Sequence, residues 1–215
     1  KEIEIRSSEF SQNIDSIYIG GGTPSVMTNF ELEAIFIALE KKISIGKIKE
    51  ITIEINPEDL LSEKLDFYKK IGINRLSIGI QSMNNDVLKW MNRIHDKNQV
   101  VKGLNNARDL GFENVSLDFI YGTPKGIARD YKSELLEILQ FNPTHLSCYH
   151  LTIEDGTYFG HLAKKKKLNQ IEEDVSEEEF IWISEKLKSK NYRHYEISNF
   201  AIKGKESFHN SNYWN

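Results

Sequence analysis

Cysteine is nearly absent from this 215-residue chain: Cys148 stands alone, which excludes an internal disulfide and any cysteine-rich metal centre made only from these residues. Long apolar runs are missing as well. Nothing approaches the roughly 20 residues a membrane helix needs, and residues 1–11 are too polar for the core of a signal peptide, so a cytoplasmic location is expected. Positive charge is not in excess. Lys+Arg total 28 against 32 Asp+Glu, a net charge of -4, which argues against broad phosphate-backbone binding and so against a nucleic-acid partner. Proline is scarce at four residues, and no Pro-, Gly- or Ser-rich linker divides the chain. What remains, 39% hydrophobic and 28% charged residues, is the composition of an ordinary globular domain. Lys1 in place of an initiator methionine, and Asn215 directly after a dense aromatic and polar cluster, read as cut ends, so we expect a fragment.

Six β-like runs stand out, at 16–20, 50–56, 75–80, 114–120, 145–151 and 193–197. Amphipathic segments separate them: 30–42, with Leu32, Ile35, Phe36 and Leu39 on one face, then 62–71 capped by Ser62, 86–91, 98–110, 131–140 and 176–190. The spacing matches repeated βαβ units and predicts an α/β fold with a parallel sheet, either doubly wound or a complete or partial β/α barrel. Both architectures gather ligands at the carboxyl ends of the strands. The lysine run 164–167 and the acidic run 172–179 read as a solvated excursion followed by a helix start.

The strand ends carry the residues that need explaining. The first run enters Gly20-Gly21-Gly22-Thr23-Pro24, whose glycines allow positive φ and whose amides can receive a carboxylate or phosphate. Neither the GxGxxG fingerprint nor the P-loop pattern is matched. Glu54 opposes the face of Ile51, Ile53 and Ile55 near the end of the second run, and a carboxylate there needs a cation, hydrogen-bond donors or a ligand. Gln81 stands at the mouth of the third run. Arg93 lies just beyond the next helix, suited to grip a carboxylate or to remain a surface charge. Asp118, between Leu117 and Phe119, is an acid inside a parallel strand, where acids are expensive.

In the fifth run Cys148 and His150 share one face and His145, Ser147 and Tyr149 the other, too few ligands for a zinc site. The last stretch packs His194, Tyr195, His209, Asn210, Tyr213 and Trp214 together, which fits either stacking on a planar cofactor or capping a core.

Taken in order, IYIGGGTPS, IEINPE, RLSIGIQSMNNDVLKWMNRIH, VSLDFIYGTPKG, LSCYHLTIEDGTYF, HYEISNFA and HNSNYW resemble the radical S-adenosylmethionine family of oxygen-independent coproporphyrinogen III oxidases, and most closely its HemW-type branch of heme chaperones. The resemblance covers nearly the whole chain. It implies a partial parallel β/α barrel over 1–200, with 201–215 beginning the connection to a C-terminal domain and carrying the HNxxYW pattern. It implies S-adenosylmethionine contacts at Gly21, Gly22, Thr23, Glu54, Gln81, Arg93, Asp118 and, less closely matched, Thr152, and a heme contact at His209. The family's 4Fe-4S cluster hangs on a CxxxCxxC motif upstream of the glycine loop. This sequence has no such motif, so the resemblance puts those cysteines before Lys1. The implied function is binding of heme and S-adenosylmethionine and delivery of heme to a recipient protein, with homodimerisation open. The alternatives are radical oxidative decarboxylation of coproporphyrinogen III and a cluster-free barrel that binds a nucleoside-like ligand.

Overall fold

The computed structural model describes residues 1–6, 8, 14–124, 126–168 and 171–213. The expected βα alternation is present: α1 (Glu2–Ile5), β1 (Ser16–Ile19), α2 (Asn29–Glu40), β2 (Glu50–Ile55), α3 (Ser62–Lys70), β3 (Arg75–Gln81), α4 (Asn85–Trp90), α5 (Lys97–Asp109), β4 (Asn114–Tyr121), α6 (Tyr131–Gln140), β5 (His145–His150), α7 (Tyr158–Lys164), α8 (Glu173–Ser189), β6 (Tyr192–His194), β7 (Asn199–Ile202) and α9 (Phe208–Tyr213).

The strands form one open sheet in the order β1-β2-β3-β4-β5-β7-β6, a partial barrel, with β1 to β5 parallel throughout. The last two strands correct the expectation of an all-parallel sheet. The predicted run 193–197 splits at a turn, and a second strand, β7, inserts antiparallel between β5 and β6, so that β6 again points the same way as β5. Two short strands joined by a tight turn lack the apolar length that marks β2 to β5.

Alternation along the parallel strands gives the sheet two unlike faces. Ile51, Ile53, Ile55, Leu76, Ile78, Ile80, Leu117, Phe119, Leu146 and Cys148 are buried on the convex face. They pack under helices that bury Leu32, Phe36, Leu65, Val100, Leu104, Leu135, Ile138, Ile183 and Leu187, and each such aliphatic contributes roughly 1.5–3 kcal/mol by leaving water. The concave face is polar: Glu50, Thr52 and Glu54 on β2, Arg75 and Ser77 on β3, Ser116 and Asp118 on β4, His145 and Ser147 on β5. A polar interior on an apolar scaffold is a place to look for chemistry.

One expected helix cap does not form. Thr28 caps α2 in a capping box with Glu31, whereas Ser62 caps nothing: Leu61 is the cap residue of α3 and no side chain closes that end. Helix α7, which ends at the first residue of the lysine run, is not among the segments expected from the sequence.

Candidate functional site

Strand β1 delivers the chain into the glycine loop, where Gly21 and Gly22 take φ values of 83° and 114°. That conformation turns the Gly21 amide toward β2, and it donates to Glu54 Oε2 at 3.2 Å. The Tyr18 hydroxyl donates to the other oxygen, Oε1, at 2.7 Å. Burial, with Glu54 beside it, pushes the Tyr18 hydroxyl pKa up and keeps it a donor. Glu54 is half-buried, and its two donors come from the chain segment that must also admit a ligand. Thr23 sits half-buried at the entry to the 3-10 turn Pro24–Val26.

Gln81 reaches the mouth through a local irregularity. The β3–β4 register shifts between Ile78 and Gln81, and Gln81 takes φ 61°, which folds its side chain back over Gly79. A Cβ on residue 79 would lie 2.8 Å from Gln81 Nε2, so the glycine makes room for that amide. Arg93 follows α4 and is half-buried. The loop that carries it is tied down by buried His95, which bridges Glu58 Oε2 at 3.1 Å and the Ile80 carbonyl at 3.2 Å.

Asp118 is the most perturbed acid of the face. As a residue it is half-buried, but its Oδ1 is shut off from solvent without a hydrogen-bond partner. Its pKa is raised from 3.8 to about 7: burial is the largest cause and Glu54 adds to it, and together they outweigh the Ser147 hydroxyl, on the paired position of β5, and Arg75 and Arg93, which act to lower it. An orphaned buried oxygen of this kind marks a position that a donor from outside the chain would satisfy.

Glu54, Gln81, Arg93, Asp118 and the glycine loop thus stand at the carboxyl ends of four neighbouring strands. Thr152 does not join them closely: it is exposed in the loop after β5 and, among the described residues, hydrogen-bonds to none of them. His209, in α9, does. Its ring stacks on Tyr18 with centroids 4.2 Å apart and planes 21° apart, one residue removed from Glu54. Of the HNxxYW pattern, Trp214 lies outside the described residues.

Chemically, two carboxylates, one carrying an orphan oxygen, can receive a cationic or hydroxyl-bearing group. The loop amides and Arg93 can receive a carboxylate, and Gln81 can serve either kind of group. The residues present do not fit an iron–sulfur cluster. Cys148 is buried on the convex face, burial pushes its thiol pKa up, and no three His, Cys, Asp or Glu side chains among the described residues are grouped to hold a metal ion. No helix among them is long and apolar enough to cross a membrane.

The half-barrel is the fold of a radical SAM protein, and the chain belongs to the radical SAM superfamily, whose profile matches residues 1–133. It is 35% identical over 211 residues to the heme chaperone HemW of Lactococcus lactis, covering 98% of this chain and 55% of that protein. It is 38% identical over 204 residues to the heme chaperone HemW of Buchnera aphidicola, covering 95% and 53%. Among solved structures it superposes on the Escherichia coli coproporphyrinogen III oxidase HemN, a radical SAM enzyme, with a TM-score of 0.80 at 25% identity over 95% of this chain and 47% of that one. The chain spans about half the length of the curated relatives it matches.

Sequence reasoning passed over Tyr18, His95, Ser147, Glu50 and Arg75 as site-building residues. A tyrosine in an apolar strand and a strand-initial glutamate or arginine carry no signal of their own. For Ser147, pairing beside Asp118 was readable once β4 and β5 were taken as neighbours.

Proposed function

We propose that this chain is the barrel core of a heme chaperone that binds S-adenosylmethionine and heme and hands heme to a recipient protein in the cytoplasm. The observation that carries the reading is the stack of His209 on Tyr18, because the Tyr18 hydroxyl holds Glu54: one side chain links the histidine of the HNxxYW segment to the carboxylate assigned to S-adenosylmethionine. Gly21, Gly22 and Thr23 would line the methionine end of the cofactor. Glu54 and Asp118 would accept hydrogen bonds from its ammonium or ribose hydroxyls, with Arg93 and Gln81 closing over it and Thr152 at the periphery. S-adenosylmethionine supplies a sulfonium and, with an external reductant, a radical source; this chain's residues bind and orient it. Residues 1–200 would form the barrel core and 201–215 would begin the connection to a C-terminal domain; β7, Asn199–Ile202, crosses that division.

In the full-length protein, His209→Ala should alter the absorption spectrum of bound heme. An unaltered spectrum removes His209 as a contact. The fold match to HemN keeps one other reading in play, anaerobic oxidative decarboxylation of coproporphyrinogen III propionates. Vinyl-group formation by the reconstituted full-length protein would establish that reading, and heme transfer without turnover would end it.

A further inference from the structure

Beneath the strand-end site, the concave face contains a hydrogen-bonded chain that S-adenosylmethionine binding leaves unused. From it we propose that Tyr195, backed by His145, is a positioning residue that seats the 207–210 segment so that His209 lays its ring on Tyr18. The proposal rests on the heme reading of His209 given above.

Tyr195 lies in the turn between β6 and β7, and its hydroxyl meets three groups. His145 Nε2 is 2.8 Å away, and the Ser207 amide and the Asn210 side-chain amide donate to the hydroxyl at 3.3 and 3.4 Å. One phenolic proton and two lone pairs account for all three if the proton goes to an unprotonated Nε2. His145 Nδ1 then donates to Ser116 Oγ at 2.7 Å. That tautomer is consistent with burial and nearby Arg75 holding the His145 pKa well below its ordinary range.

A second anchor comes from β2. Buried Glu50 accepts from the Phe208 amide at 3.1 Å and the Ser207 hydroxyl at 3.4 Å. Positions 207, 208 and 210 are therefore held from β2 and from the β6–β7 turn, while the 209 side chain leaves the network and lies on Tyr18. A helix of six residues has little stability of its own, so these anchors decide where it sits. A purely structural role for Tyr195 would leave the environment of a ligand at His209 untouched, whereas a positioning role would not.

The test uses full-length protein and heme titration. Tyr195→Phe removes only the hydroxyl. It should shift the absorption of bound heme and weaken heme affinity about fivefold to tenfold, the range for one lost hydrogen bond with its neighbours left unpaired, while S-adenosylmethionine affinity holds. His145→Gln, which keeps an acceptor for the phenol, should resemble wild type, and His145→Leu should resemble Tyr195→Phe; this pair answers the question if Tyr195→Phe does not fold. A wild-type spectrum and affinity in Tyr195→Phe, alongside an altered spectrum in His209→Ala, overturns the positioning role alone. An unaltered spectrum in His209→Ala overturns the heme reading beneath it.

Discussion

Glu50 and Glu54 stand four residues apart on the same face of one strand and live in opposite surroundings. Glu50 is 3% exposed. It faces Arg75 at 3.8 Å and is capped by the Ser207 hydroxyl and the Phe208 amide, all groups fixed by the fold. Glu54 is half-buried and accepts from a phenol and from a glycine-loop amide, donors on a segment at the open end. Around Glu50 the donors come from the Ser207 hydroxyl and the Phe208 amide, and Arg75 Nε makes no hydrogen bond; around Asp118, at the level of Glu54, it is an acceptor oxygen that is left over. The same residue type on the same strand thus takes donors fixed by the fold at the amino end of the barrel and donors from the glycine-loop side at the carboxyl end.

The comparison breaks most visibly at its structural end. Glu50→Ala strands the Arg75 guanidinium, 2% exposed, against Thr52 Oγ1 at 3.5 Å and little else. Removing one partner of a buried ion pair costs about 3–5 kcal/mol. Urea unfolding of the variant should show a loss of this size, and a loss below about 1 kcal/mol would mean that Glu50 is not the structural carboxylate of the pair.

Asp118 gives the next largest effect, with the opposite sign. Its folded pKa of about 7 lies above the ordinary 3.8, so the unfolded chain gives up the proton first. Stability is full below about pH 4, falls as pH rises to 7, and the whole penalty, on the order of 4 kcal/mol, stands above that. Asp118→Asn should remove this fall and leave the ligand-free protein more stable at pH 8 than wild type. At the same time it should weaken S-adenosylmethionine binding in the full-length protein. A pH–stability profile unchanged by the substitution would show that Asp118 is already satisfied.

Much of this contrast was legible in the sequence at its functional end. Acids inside the apolar runs ITIEINPE and VSLDFIYG have no cheap structural explanation, so Glu54 and Asp118 could be singled out before any fold was known. The five parallel strands were legible for the same reason, since their apolar runs are long and bounded by glycine and helix signals. The amino-end layer was not. Glu50 and Arg75 begin strands, where a charge reads as a boundary, and Tyr195 meets His145 only after 50 residues of chain have folded between them. The β6–β7 turn and helix α7 were hidden by brevity, and the Ser62 cap failed because Leu61 occupies the position that a capping side chain would need.

Glu54→Ala sharpens the functional side. It removes a charged acceptor from Tyr18 and Gly21 without stranding a buried cation, so unfolding stability should change by less than about 1.5 kcal/mol. Loss of a charge-assisted contact to the cofactor, about 1.5–3 kcal/mol, should appear as roughly 10- to 100-fold weaker S-adenosylmethionine binding by calorimetry. Equal affinity in wild type and variant would take Glu54 out of the site.

The smallest effect lies where the two regions meet. Tyr18→Phe keeps the ring under His209 and deletes only the hydroxyl that donates to Glu54 Oε1, leaving the Gly21 amide as that carboxylate's remaining donor. One hydrogen bond at a half-buried site is worth about 0.5–1.5 kcal/mol. If the hydroxyl pre-orients Glu54, S-adenosylmethionine binding weakens roughly two- to tenfold. If it competes with the cofactor for the carboxylate, binding tightens by a similar factor. No change in either direction would mean that Tyr18 serves only as the shelf for His209, and the two regions would then be joined by packing alone.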